Sequence, residues 1–194
     1  MEFAGEVLVV REGFIAAEGE VDALPSLGSL VKTRGDPCFL FLVVDHYVES
    51  KIPGRVPASY GLSMEELKKL HPHVFYLQRW MFQVVLLGES LHESLLYPEK
   101  IPPVHSLLYE VEDKEFRLIL KKDNFIDLLF SIDEKLLPRR NELILKLLKN
   151  YIQSLPLLER NEELERILRR LSLFLRGDYH SLKMMMDILE ASIE

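Results

Sequence analysis

Two histidines flank a proline in the segment "HPH", the closest approach to a metal-binding pattern in this chain. His71 and His73 are two residues apart, so an extended backbone would direct both imidazoles toward one ion. The segment "DHYVE" at 45–49 could supply a further ligand. The alternative is that Pro72 ends a preceding helix and leaves both rings near the surface. A metal-dependent enzyme that uses this segment is the third hypothesis.

Motifs for other kinds of catalysis do not occur in the sequence. It contains neither a GxxxxGK[ST] nor a GxGxxG phosphate-binding loop, and neither a GxSxG nucleophile elbow nor an HExxH zinc motif. The single cysteine, Cys38, lies in the apolar run "CFLFLVV", where a thiol packs as a small hydrophobic group. We therefore expect no catalytic residue and no cofactor, and a protein of the reducing cytoplasm.

Basic and aromatic side chains are interleaved between residues 51 and 80. The basic ones are Lys51, Arg55, Lys68, Lys69 and Arg79, and the aromatic ones are Tyr60, Phe75, Tyr76 and Trp80. Because OB-folds bind single strands through a basic groove and stacking platforms, an OB-like nucleic-acid-binding module is the second hypothesis. Against it, Glu65 and Glu66 accompany the lysines as on a solvated helix face. The net charge of −7 also disfavours nonspecific duplex binding.

Composition is that of a soluble globular protein. The 194 residues are 48% hydrophobic, enough for a substantial core. The longest apolar run has seven residues, whereas a membrane helix needs about 20. We expect neither secretion nor a membrane span. Abundant Leu, Glu, Lys and Arg with few Asn and Gln residues indicate a thermophile source.

The first half has the pattern of short strands. "EVLVV" and "FIAAEGEV" are separated by the charged turn "REG" and predict a hairpin. Further strands are predicted at 30–33 and 38–48, and then in "WMFQVVLLG", "VHSLLYEV" and "EFRLILKK". Turn signals about every ten residues favour a small closed barrel.

The second half has the period of helices. Apolar residues recur at steps of three and four in "NFIDLLFSI", "NELILKLLKNYI", "NEELERILRRLSLFL" and "YHSLKMMMDILEASI". The predicted fold class is thus α+β. A small β-barrel domain over 1–122, with a helical insert at about 63–79, precedes an antiparallel helical bundle over 123–194.

The insert has a clear start and stop. Ser63 and Glu66 have the spacing of a capping box, which predicts a short helix beginning after Ser63. Leu67 and Leu70 are predicted to face inward onto the barrel, and Pro72 to end the helix.

Residues 3 to about 110 resemble the HAS-barrel family. The likeness rests on Gly5 in "GEVLVV", on Gly28 and Val31 in "LPSLGSLVKT", and on the strand "FLFLVVDHYVES". It extends through "PGRVPASYGLSMEELKKLHPHVFYLQRWMF", at Arg55, Pro57, Tyr60, Gly61, Glu65, Glu66, Leu67, Pro72, Phe75, Leu77, Arg79 and Phe82. HAS-barrels form the N-terminal barrel of HerA-type DNA-translocating ATPases and are similar to the N-terminal barrel of rotary ATP synthase subunits.

The resemblance implies a docking function. In the translocases the barrel precedes a RecA-like motor and serves ring assembly and docking of the nuclease NurA, whereas this sequence contains no motor motif. The first hypothesis is therefore a noncatalytic adaptor that docks onto a protein, such as a HerA/NurA-type DNA repair machine or a second copy. Contact with nucleic acid would be indirect. Arg55, Tyr60, Lys68 and Arg79 are the predicted partner interface.

Overall fold

A closed antiparallel barrel of six strands forms the first part of the fold. The computed structural model describes residues 2–11, 14–20, 23–55, 58–91, 94–96, 100–122, 124–137 and 139–193. Its strands are β1 (Phe3–Arg11), β2 (Phe14–Gly19), β3 (Leu30–Thr33), β4 (Cys38–Ser50), β5 (Gln78–Leu91), β6 (Ser94–Leu96) and β7 (Leu107–Glu110). The order is β2-β1-β7-β3-β4-β5, and pairing of β2 with β5 closes the ring, while β6 extends β5 outside it.

The barrel confirms most of the predicted strands. β1 and β2 form the expected antiparallel hairpin, although its turn at Gly13 lies outside the described residues. Register shifts leave an extra residue in β1 after Val7, in β4 after Val43 and in β5 between Leu86 and Gly88. Because bulges bend a strand and increase its twist, these shifts help so few strands to close into a ring.

Residues 39–44 of strand β4 are buried on both faces, which explains the continuous apolar sequence there. Phe39, Phe41 and Val43 point into the barrel core. The alternate residues Leu40, Leu42 and Val44 point outward and lie in the apolar core shared with the helices. Cys38, at the start of the strand, is half-buried, and its thiol donates to the carbonyl oxygen of Thr33 at 3.1 Å.

Seven helices occur within the described ranges. They are α1 (Met64–Leu70), α2 (His73–Tyr76), α3 (Asp113–Leu120), α4 (Phe125–Ser131), α5 (Arg140–Ser154), α6 (Leu157–Phe174) and α7 (Tyr179–Glu190). The predicted helices of the second half are confirmed as α4 to α7. None of the helices that the structure describes has the length and apolar character to cross a membrane.

One predicted strand is wrong, because "EFRLILKK" forms helix α3. Phe116, Leu118 and Leu120 alternate with other residues as in a strand, but Leu118 is 60% exposed. Ile119 and Leu120 are buried instead and join the core that the helices share. Helix α3 packs on α4 and α5 and so belongs to the helical layer. The division into domains at residues 122 and 123 stays a prediction.

The helical layer packs on the outer face of the barrel. The predicted apolar face of α5 is confirmed in full, with buried Leu143, Ile144, Leu147, Leu148, Tyr151 and Ile152. These residues form one apolar cluster with Leu40 and Leu42 of β4 and with Val85 and Leu87 of β5. Strands β4 and β5 therefore contribute side chains to two apolar cores, one inside the barrel and one between the barrel and the helices.

An ion pair adds to this junction. The ammonium group of Lys32, on β3, lies 2.6 Å from both carboxylate oxygens of Glu115 on α3. The Lys32 side chain is only 12% exposed. A largely buried charge must be paired to be tolerated, so this contact fixes α3 against the barrel.

Candidate functional site

A protruding segment at residues 51–77, here called the arm, leaves the barrel between β4 and β5. Its base is closed by a hydrogen bond of 2.8 Å from the Lys51 N–H to the carbonyl oxygen of Leu77. The arm contains α1 and α2, and β5 begins directly after it at Gln78. The predicted helical insert at about 63–79 is thus two short helices, the second ending at Tyr76.

Helix α1 is held by local hydrogen bonds, as predicted. The Ser63 hydroxyl accepts from the Glu66 N–H at 3.2 Å, and the Glu66 carboxylate accepts from the Ser63 N–H at 2.9 Å. The bond from the Ser63 N–H, and then a second one of 2.8 Å from the Ser63 hydroxyl to the same carboxylate, lower the pKa of Glu66 below its ordinary range. The helix ends at Leu70, where the His71 N–H donates to the carbonyl oxygen of Leu67, and Pro72 begins the next turn.

Two glycines allow the arm its sharp turns. Gly54 has a φ of 74° and Gly61 a φ of 63°. Side chains with a Cβ rarely adopt this left-handed conformation, so glycine at these positions avoids strain. Both turns lie on the path from β4 to α1.

None of the described residues of the arm is buried. The prediction that Leu70 faces inward is wrong, since its side chain is 64% exposed, whereas Leu67 is half-buried. Helix α1 has no buried residue, and Leu67 is its one half-buried side chain. Large apolar side chains are exposed on the arm at Ile52, Tyr60, Leu62, Met64, Leu70 and Tyr76.

A cleft of about 110 Å³, here called the arm cleft, lies between the arm and the adjacent ends of β4 and β5. The described residues that line it are Ser50, Arg55, Ala58, Tyr60, Leu67, Val74, Leu77 and Gln78. Four of these residues are aliphatic, and the others bring a guanidinium, a phenol, a hydroxyl and an amide. Clefts that combine apolar side chains with a few polar groups are typical of ligand-binding sites.

Only two of the four predicted interface residues lie at the arm cleft. Arg55 and Tyr60 both line the arm cleft. The ammonium of Lys68 lies 6.0 Å from the centre of the Phe75 ring, away from the cleft. Arg79 lies on β5, within 3.9 Å of a carboxylate oxygen of Glu18. The cleft therefore unites the first two residues and leaves out the other two.

The two histidines of "HPH" lie edge to face, with ring centres 5.7 Å apart. The ring of His71 also lies 4.9 Å from that of Tyr60. His46, from the segment that could have added a ligand, instead has its Nε2 2.8 Å from the carbonyl oxygen of Pro25. In the part of the chain that the structure describes, no three His, Cys, Asp or Glu side chains converge as metal ligands would.

Three arginines of α6, at 166, 169 and 170, lie beside acids, as expected for a solvated helix face. Arg166 lies 2.8 Å from Glu163, and Arg169 lies 3.2 Å from Glu165. Arg166 also donates to the carbonyl oxygen of Leu120 at 2.8 Å. This neutralised surface offers little to a polyanion.

The apolar floor of the arm cleft was not predicted as part of a site. It is formed by Leu67, Val74 and Leu77, which come from α1, from α2 and from the residue before β5. The spacing of Val74 and Leu77 was visible in the sequence, but their meeting with Leu67 depends on the fold of the arm.

A second groove, of about 320 Å³, was also not predicted. It lies where β1, β2 and β5 meet the end of α4, and Phe14, Leu87 and Leu128 line it together with Arg11 and Asp133. The groove is mostly apolar, and each of these residues comes from a different element or connection.

No family model matches the chain, and no curated protein matches it. A closed six-stranded barrel does not by itself identify the HAS-barrel family. That resemblance remains a prediction based on the residues that suggested it.

Proposed function

We propose that this protein is a noncatalytic adaptor or assembly protein that docks onto a protein partner through its arm. One observation carries the proposal. The arm has defined helices, a capping box and a closed base, yet none of its described residues is buried. The barrel and the helical layer provide the rigid body from which it projects.

An exposed segment with such short helices is expected to be stabilised by a binding partner. Helices of seven and four residues gain too little from their own hydrogen bonds to be stable in water. The exposed side chains of Met64, Leu70 and Tyr76 add an apolar surface of the kind that marks interaction sites. A partner that covers this surface would stabilise the arm, and the local caps reduce the entropy lost on binding.

A HerA/NurA-type DNA end-processing machine is the proposed partner. The resemblance of residues 3–110 to HAS-barrels supports this choice, and a second copy of the chain is the alternative. In this proposal the adaptor acts in DNA repair and contacts DNA through its partner.

Size-exclusion chromatography with light scattering tests the docking. Purified chain is mixed with HerA-type and NurA-type proteins from the same source, and Leu70→Glu is compared with Leu158→Glu. Leu70 lies on the arm, whereas Leu158 is 97% exposed at the start of α6, so both changes add the same charge at an exposed leucine. We expect a stoichiometric complex that Leu70→Glu abolishes and Leu158→Glu preserves.

Two results would contradict the proposal. One is the absence of any complex, either with these proteins or between copies of the chain. The other is salt-sensitive binding of single-stranded oligonucleotides in fluorescence anisotropy without any protein complex, which would favour the OB-like module instead.

A further inference from the structure

The floor of the arm cleft has room for one apolar side chain. Leu67, Val74 and Leu77 are each half-buried and surround a volume of about 110 Å³. Since an apolar cavity of about 150 Å³ is large enough for benzene, this volume suits a single aliphatic side chain such as leucine or isoleucine. Filling it would remove three apolar side chains from water.

Arg55 lies at the rim of the cleft. Arg55 has no ion pair with any described residue, whereas Arg79, Arg166 and Arg169 each lie within 4.0 Å of a carboxylate oxygen. Tyr60 stands beside it on the same lining. A guanidinium next to an apolar cleft is well suited to a carboxylate, because it can donate two parallel hydrogen bonds.

The charge of the surrounding segment has the sign that an acidic ligand requires. Residues 51–77 hold four basic and two acidic side chains, although the whole chain has a net charge of −7. One of the two acids, Glu66, is already bonded to Ser63 within the capping box. The arm is therefore a positive region on a negative protein, which would attract an acidic segment and orient it on approach.

We infer that the arm cleft binds an acidic segment of the partner protein, with one large aliphatic side chain inserted between Leu67, Val74 and Leu77. A carboxylate next to that side chain pairs with Arg55. The inference rests on the proposed function, since it specifies what the docking arm recognises.

Peptide selection tests this recognition directly. The full chain is immobilised and used to select from a random peptide library, and the enriched peptides are then measured by fluorescence anisotropy. We expect enrichment of a Leu or Ile flanked by Asp or Glu. Arg55→Glu and Val74→Arg are each expected to weaken binding at least about tenfold through the lost pair and the blocked floor.

Lys69→Glu is the matched control for Arg55→Glu. It also replaces a positive charge with a negative one, but Lys69 lies on α1 and does not line the cleft. It is expected to change affinity by less than about threefold, as a charge outside the contact does. Circular dichroism spectra and thermal midpoints confirm that each variant is folded.

Several outcomes would overturn the inference. One is the enrichment of basic or uncharged peptides, or no enrichment at all. Another is an equal loss of affinity in Arg55→Glu and Lys69→Glu. A third is a dimer that Arg55→Glu dissociates, which would place a second copy of the chain in the cleft. If the Leu70-dependent partner complex forms while no acidic peptide is selected, the inference fails and the proposed function stands. If acidic peptides bind but no protein complex forms, the proposed function fails instead.

Discussion

Phe82 packs its ring against the bare backbone of Gly5 inside the barrel. A Cβ atom at residue 5 would lie 2.6 Å from Cε1 of that ring and 2.5 Å from the carbonyl oxygen of Glu18. Phe82 itself is completely buried. Gly5 was one of the residues that suggested a HAS-barrel, and the structure gives a local reason for glycine there, since only a residue without a side chain lets Phe82 fill this end of the barrel.

Gly5→Ala is therefore expected to destabilise the protein. The added methyl group must displace either Phe82 or the β2 backbone, which should lower the free energy of unfolding by about 1–3 kcal/mol. Urea denaturation measures this change. Gly177→Ala is the control, because a Cβ atom there would meet nothing within 4 Å. Equal stabilities of the two variants would contradict the packing argument.

Much of the fold could be predicted because its signals are local or periodic. The apolar face of α5 follows the helical period and is buried in full, and the capping box of α1 requires only Ser63 and Glu66. The segment "EFRLILKK" fits both a strand and a helix, since apolar residues at 116, 118, 119 and 120 satisfy either period. Only the packing of Ile119 on the other helices decides between them.

The candidate site was less predictable, because it depends on contacts between distant residues. The sequence pointed to the loop around Arg55 and Tyr60, and both residues line the arm cleft. It could not show that Arg79 lies near Glu18, 61 positions earlier, or that Leu70 turns away from the barrel. Such facts follow from the placement of elements in space, which local patterns do not encode.

Leu42→Ala should destabilise the barrel and the helical layer together. Leu42 is completely buried on the outer face of β4, in the apolar core that the helices share. Loss of a buried leucine side chain is expected to cost about 2–5 kcal/mol. Trp80, the only tryptophan, reports on β5 by fluorescence, and far-ultraviolet circular dichroism reports on the helices. Both signals should show one coincident transition at a lower urea concentration.

Leu158→Ala is the control for this prediction, because that leucine is 97% exposed. Its unfolding should match the wild type within about 0.5 kcal/mol. Two separate transitions in the Leu42→Ala variant, with only one of them shifted, would show that the barrel and helices unfold independently.

Asp178 is expected to make stability depend on acid pH. Its carboxylate accepts the Ser181 N–H at 3.0 Å at the start of α7. Hydrogen bonds from the Ser181 hydroxyl and then from its N–H lower the pKa of Asp178 below the ordinary value. A carboxyl whose pKa is lower in the folded state stabilises the fold above its unfolded pKa, and this stabilisation is lost as the pH falls through the folded pKa.

Asp178→Asn should therefore be less stable than the wild type at pH 7, and the difference should shrink as the pH falls below about 4, the ordinary range of an aspartate. Urea midpoints between pH 3 and 7 measure it. Asp187→Asn is the control, because Asp187 lies farther along α7 and does not cap it. A difference that stays constant over this pH range would contradict the role of the charged cap.

The arm should be removable without unfolding the rest of the protein. Lys51 and Leu77 already meet through a 2.8 Å hydrogen bond, so a short Gly-Ser turn can replace residues 52–76. Because none of the described arm residues is buried and a shorter loop loses less entropy on closure, the free energy of unfolding should change by less than about 1 kcal/mol.

Urea denaturation followed by Trp80 fluorescence measures this change in the free energy of unfolding, and the full-length variant Leu70→Glu serves as a control. Partner binding should disappear in the shortened chain, whereas a loss of several kcal/mol would show that the arm stabilises the barrel and is not a free docking element.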